Sequence, residues 1–188
     1  MSRKTLEAPR GQAQLLAAAA EAVARWFRRP EPGALSSART ARLRSRAARE
    51  LAVAALKGSR GPAKADAAEF SFALREAVEH AVSAASDAAL WGVGADAELA
   101  AMAESLARGA KALVRASAAE GAARAEALDD AKRWCADAER RRREARARAL
   151  ESPLFVESVK RSEIASRLSS SAEALQQACD ALAGSLAE

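Results

Sequence analysis

Three pairs of residues spaced four apart hold the side chains of this chain most able to do chemistry: Glu76 with His80, Cys135 with Glu139, and Ser169 with Glu173. On a helix, positions i and i+4 share one face, so each pair could grip a metal ion from a single turn. A fourth pair in the same series, Arg44 with Ala48, has no ligand at all. Hard, multinuclear sites need several carboxylates converging on one cation, and here each of the other pairs brings only one. His80 is the single histidine, so neither a histidine-based metal centre nor a histidine-containing triad has support. Its expected place is a surface or rim position beside Glu76. The chain has no Gly-rich phosphate loop, no G-x-S-x-G elbow and no H-E-x-x-H pair. Gly92-Val93-Gly94 lacks the preceding strand that a dinucleotide fingerprint needs. Cys135 follows Arg133 closely, which could lower its thiol pKa, but no general base accompanies it. The chain is expected not to be an enzyme.

The densest charge feature is Arg140-Arg141-Arg142-Arg143, followed by Arg146 and Arg148. Arg140, Arg142, Arg143 and Arg146 could form a docking surface for anionic lipid, where each basic residue is worth about 1 kcal/mol, or for acidic loops of a membrane protein. The competing reading is a solvated helix face interleaved with Glu139, Glu144 and Glu151. The whole chain carries a net charge of +5, with a pI near 9.8. Nucleic-acid binding is not expected: there is no zinc-finger spacing, no RNA-binding aromatic motif and no short helix-turn-helix signature.

The elements that must position these residues are all helical. Half of the 188 residues are hydrophobic but only 4% are aromatic, and alanine, the best helix former, dominates. Pro30-Glu31-Pro32-Gly33, Gly58-Ser59-Arg60-Gly61-Pro62, Gly92-Val93-Gly94 and Glu151-Ser152-Pro153 punctuate the chain. They delimit helices from about 11 to 27, 34 to 56, 66 to 90, 96 to 119, 121 to 150 and 159 to 186. Ser36 or Ser37 could cap the second, Gly92 suits the left-handed end of the third, and Glu120-Gly121 is either a kink or a loop. The apolar stripe of the third is Leu74, Val78, Ala81, Val82, Ala85 and Ala89. That of the sixth is Ile164, Leu168, Leu175, Cys179, Leu182 and Leu186. On helical angle, Ser169 and Glu173 lie nearly opposite the latter, and Glu76, His80, Ser83 and Asp87 form a polar stripe; both read as solvated faces. Cys135 and Cys179 form no closely spaced framework and read as reduced thiols. With no membrane span or signal segment in view, the expected location is the cytoplasm.

A faint internal repeat organises the six helices. Leu15 and Val23 recur as Leu106 and Val114 at an offset of 91 residues, which also carries Arg44 and Ala48 onto Cys135 and Glu139. An offset of 93 carries Glu76 and His80 onto Ser169 and Glu173. The expectation is one all-α domain over 1–188, an elongated six-helix bundle of two three-helix repeats, about 10–92 and 95–188.

The segment from Leu154 through Lys160-Arg161-Ser162-Glu163-Ile164 and Leu168 to Glu173 resembles the last helix of the PhoU-like family of phosphate-transport accessory proteins. Trp134-Cys135-Ala136-Asp137-Ala138-Glu139-Arg140 and Arg75-Glu76-Ala77-Val78-Glu79-His80 stand where that family has its carboxylate-bearing helices. The resemblance implies a six-helix bundle of two repeats and a regulatory role beside a phosphate transporter, at the inner face of the membrane. It also implies metal clusters held by paired E(D)-x-x-x-D motifs, and here those motifs are eroded. In the first half Arg44 would face Glu76 and His80, repelling each unit of a cation's charge by about 4 kcal/mol at 4 Å and an effective dielectric of 20. The second half could assemble Cys135, Glu139 and Glu173 around a softer ion such as zinc. No cofactor is expected, a residual metal ion at that second site being the one exception. The expected partner is a phosphate transporter or an associated signalling protein, with peripheral membrane contact and a homodimer both compatible. The alternative is a generic helical scaffold that keeps the fold with another partner.

Overall fold

The computed structural model describes residues 3–56, 62–151 and 154–184, and these form six α-helices and no strand. In chain order they are α1 (Arg3–Arg28), α2 (Pro32–Ala55), α3 (Pro62–Leu90), α4 (Ala97–Ala118), α5 (Gly121–Glu151) and α6 (Phe155–Gly184). Their lengths of 22 to 31 residues correspond to about 33–46 Å at 1.5 Å per residue. No described helix is long and apolar enough to cross a membrane.

Several starts lie upstream of the expected ones. Prolines open α2 and α3 at Pro32 and Pro62, because a fixed φ suits the first helical position and the missing N–H would be unpaired there anyway. Ser36 and Ser37 are therefore inside α2 and do not cap it; the Ser37 hydroxyl donates back to the Gly33 carbonyl at 2.8 Å. The first helix reaches back to Arg3 through Pro9, whose missing N–H costs one bond near an end. The sixth begins at Phe155, four residues before the expected start. Its expected end at Leu186 lies outside the described residues, as does the whole of the Gly58–Gly61 break.

Two glycines make the sharp turns. Gly92, at φ +71°, lets the Val93 N–H reach the Ala88 carbonyl at 2.9 Å, the 6→1 closure of a Schellman end. Gly121 at φ +54° opens α5 after an extended Ala119, so this junction is a loop and not a kink. The Arg124 Nε donates to the Ala119 carbonyl at 2.7 Å and so caps the end of α4. At the start of α4 the Asp96 carboxylate accepts from the Glu98 and Leu99 amides, while its own N–H donates to the Phe27 carbonyl. One residue thus caps α4 and ties it to the end of α1.

The helices α1, α3, α4 and α6 form the centre, each packed on three others. On one flank α2 packs on α1 and α3; on the other α5 packs on α4 and α6. Cross-contacts run antiparallel: Arg28 with Glu104 and Glu21 with Lys111 join α1 to α4, while Ser171 with Ala77 and Arg167 with Asp87 join α6 to α3. A single core draws on all six helices, with Leu16, Phe27, Leu74, Leu106, Leu113, Leu168 and Leu175 fully buried among alanines. The expected stripe on α3 is buried except Ala89, and Ala84 and Ala88 join it because three neighbours cover a wider arc than one stripe.

Two positions in this core have measurable consequences. At Gly109 a Cβ would stand 3.0 Å from the Leu175 side chain and 3.3 Å from Trp134 Cβ. Gly109→Val is expected to lower stability by about 1–3 kcal/mol through overpacking, read as an earlier midpoint in urea. Gln12 is fully buried, and neither its amide nitrogen nor its amide oxygen has a hydrogen-bond partner among the described residues. A buried unsatisfied amide costs about 1–3 kcal/mol. Gln12→Met, close in shape, is expected to raise the unfolding midpoint; a lower midpoint would show that the amide has a partner in solution.

Candidate functional site

Of the polar residues singled out in the second half, Glu139 and Ser169 meet at the α5/α6 seam. The antiparallel packing of α5 on α6 sets Glu139 opposite Ser169, whose hydroxyl donates to Glu139 Oε2 at 2.5 Å. Arg142, one turn on, forks onto the same carboxylate with bonds of 2.7 and 2.8 Å, and Arg143 approaches it to 3.8 Å. Hydrogen bonds from Arg142, working against partial burial, and a further one from Ser169 hold the Glu139 carboxyl at about 2 against an ordinary 4.5. Ser169 is 3% exposed, which corrects its assignment to a solvated face. The reason is that α6 packs against α3, α4 and α5, so the side opposite its main stripe also meets a neighbour.

Two residues before Glu139 and on another side of the helix, Asp137 faces α4. It accepts from the Ser105 hydroxyl at 2.6 Å and from Arg141 Nε at 2.7 Å, and it pairs with Arg140. Burial alone would push the Asp137 carboxyl up; the bonds from Ser105, Arg141 and Arg140 outweigh it and hold the group at about 2 against 3.8. The four consecutive arginines are thus engaged by carboxylates of their own helix, Arg140 also pairing with Glu144 at 2.6 Å. Arg146 is exposed and has no ion pair among the described residues.

The other candidate ligands lie apart from this network. Cys135 is 5% exposed and Cys179 is fully buried; both are free thiols. Burial pushes the Cys135 thiol well above its ordinary range and Cys179 up to about 12, the reverse of the lowering that Arg133 suggested. Glu173 is exposed, and its charge acts on Arg142. In the first half, His80 Nε2 stands 3.7 Å from Glu76 Oε2, and Glu76 also pairs with Arg75. Arg44 is exposed on α2. Among the described residues no group of three or more His, Cys, Asp or Glu is arranged to hold a metal ion. Arg142 and Ser169 occupy the oxygens of Glu139, and Cys135 is buried on the neighbouring turn.

Glu79 was not singled out from the sequence, yet it anchors the seam between α2 and α3. Arg46 forks onto it at 2.5 and 2.9 Å. Hydrogen bonding from Arg46 lowers the Glu79 pKa against the effect of burial, with the charges of Arg46, Arg42 and Arg75 adding to it. The i,i+3 and i,i+4 pairs of Asp137 with Arg140 and Arg141 were legible in the sequence; the Arg46–Glu79 pair, 33 residues apart, was not. The clefts at the described surface lie elsewhere. One of about 100 Å³ lies between Asp96, Glu98, Arg148, Glu157 and Arg161, and the larger ones beside Arg25 and Arg28 are open to solvent. No protein-family model matches the chain, and no curated protein matches it.

Asp137 and Glu139 make stability depend on acid. Both folded-state values lie below their ordinary ones, so the unfolded chain binds protons first as pH falls. Their stabilisation is complete above about pH 4.5 and is lost as pH drops towards 2. Asp137→Asn with Glu139→Gln is expected to flatten the fall in melting temperature across that window; an unchanged slope would show that neither carboxylate is paired in solution.

Proposed function

We propose that this chain is a non-enzymatic accessory protein of inorganic phosphate transport, acting by contact with a transporter or an associated signalling protein. The observation that carries this reading is the packing scheme. The helices α1, α2 and α3 pack on one another, α4, α5 and α6 do the same, and the pairs α1·α4 and α3·α6 join the two sets. That scheme supports two three-helix units of the kind the sequence resemblance implies, on a single 188-residue chain.

The polar network supports a contact role over metal chemistry. Where the resemblance would place metal-binding carboxylates, Glu139 is bound by Arg142 and Ser169, and its pairing holds α5 to α6. Arg146 and the outer edges of Arg140 and Arg143 remain at the surface, available to an acidic loop of a membrane-bound partner. Such a role sits at the cytoplasmic face of the membrane. A second reading, a helical scaffold serving another partner, is favoured by the same replacement of ligands with ion pairs, which preserves packing without the family's chemistry.

Gentle crosslinking of the tagged full chain in its native host, followed by mass spectrometry, separates the two. A phosphate permease or its ATPase among the captured proteins is the expected result, depleted when Arg143 and Arg146 are both replaced by Glu. Capture of unrelated soluble proteins alone would overturn the transport reading and leave the scaffold.

A further inference from the structure

The arginines of α2 differ from those of α5 in one respect that bears on binding: among the described residues most of them have no carboxylate partner. Arg39, Arg42, Arg44, Arg46 and Arg49 stand on this helix against a single acidic residue, Glu50. Only Arg46 has an ion pair among the described residues, with Glu79. Glu79 also feels Arg42 and Arg75, so one carboxylate answers several guanidinium groups. The Nε of Arg42 and of Arg75 are buried without a hydrogen-bond partner. Arg49 and Arg75 lie 5.7 and 5.5 Å from the centre of the Phe72 ring, which does not cancel their charge.

The outward face of the same helix carries an apolar stripe along its second half, preceded by Ser36 and Thr40 and edged by Glu50. Leu43 is 63% exposed and Leu51 70%, and Ala47 and Ala54 are exposed between and beyond them at i+4 and i+11. At 100° per residue this stripe points away from Ala38, Ala41, Ser45 and Ala52, which are buried. Arg44 borders it on one side and Arg39 and Arg46 on the other, with the half-buried Arg42 and Arg49 further round towards α3. Phe72 of α3 and Val53 add exposed apolar surface beside it.

We propose that the outer face of α2 is a docking surface for an anionic phospholipid membrane. Charge complementarity selects that occupant. A second copy of the chain would set one arginine ridge against another, with only Glu50 on each side to answer. A bilayer interface offers both required chemistries at one depth. Phosphodiester oxygens accept forked bonds from guanidinium groups, while Leu43 and Leu51 enter the boundary of the acyl chains as an in-plane amphipathic helix does. As an outer helix packed on α1 and α3, α2 can lie along such a surface without rearranging the core. The exposed apolar residues at the other candidate patch, Leu90, Phe155, Val156 and Val159, lack this bias, because Lys160, Arg161 and Arg148 nearby are answered by Glu157, Asp96 and Glu98.

Co-sedimentation of the full chain with vesicles tests the surface in the absence of any transporter, so it stands or falls apart from the transport reading. Vesicles of phosphatidylcholine with about one-third phosphatidylglycerol are expected to bind the chain, weakening as salt rises; pure phosphatidylcholine is not. Each arginine contributes about fivefold to partitioning. Arg39→Gln with Arg44→Gln should therefore lower it about 25-fold, and Leu43→Ser with Leu51→Ser should weaken it at fixed charge. Arg115→Gln with Arg133→Gln, which removes equal charge from α4 and α5, should cost less than half as much on a logarithmic scale, with circular dichroism confirming the fold of every variant. Equal losses from both arginine pairs, equal binding to neutral vesicles, or no binding to anionic ones would overturn the proposal. Failure on vesicles with capture of an acidic protein through the same residues would overturn it in favour of a protein partner.

Discussion

Small side chains set the spacing on which everything else in this bundle depends. With alanine supplying most buried positions and aromatics only 4% of the chain, each buried residue contributes little apolar area. Stability must come from length of contact, and the six helices supply it by packing closely over many turns. Gly109 marks the limit of that approach, with Leu175 and Trp134 standing where a Cβ would need room. Larger residues, among them Phe27, Leu106 and Leu175, fill the centre.

Close packing brings polar side chains on facing helices within bonding distance. Ser171 donates to the Ala77 carbonyl at 2.6 Å, Ser105 to Asp137 and Ser169 to Glu139. Each of these serines is small enough for a crowded seam and long enough to reach one acceptor. Carboxylates at the seams are in turn held ionised by arginines, as in Arg142 with Glu139 and Arg46 with Glu79. A residue pattern that could have offered metal ligands has become a set of interhelical clasps.

Surface charge is distributed by pairing as much as by composition. The arginine-rich stretch of α5 looks the most basic in the sequence, yet Asp137, Glu139 and Glu144 answer it within a turn. The α2 helix has fewer consecutive basic residues and a greater unneutralised charge, since Glu50 is its only acidic residue. Association depends on that remaining field and on the apolar stripe beside it. Counting arginines would have chosen the other helix.

Six helices, their breaks at the proline and glycine clusters, and the left-handed turn at Gly92 follow from local chemistry, because propensity and backbone freedom act within a few residues of each position. The apolar stripe of α6 through Ile164, Leu175 and Leu182 was legible for the same reason: periodicity belongs to one helix. Periodicity could not tell that α6 has neighbours on its other sides, so Ser169 was read as solvated when it is buried against Glu139. Nor could it find Arg46 and Glu79, 33 residues apart, or show that the Cys135 thiol faces a desolvating core. Tertiary structure decided which charges are paired, because burial and partner distance are set by the arrangement of helices around a residue.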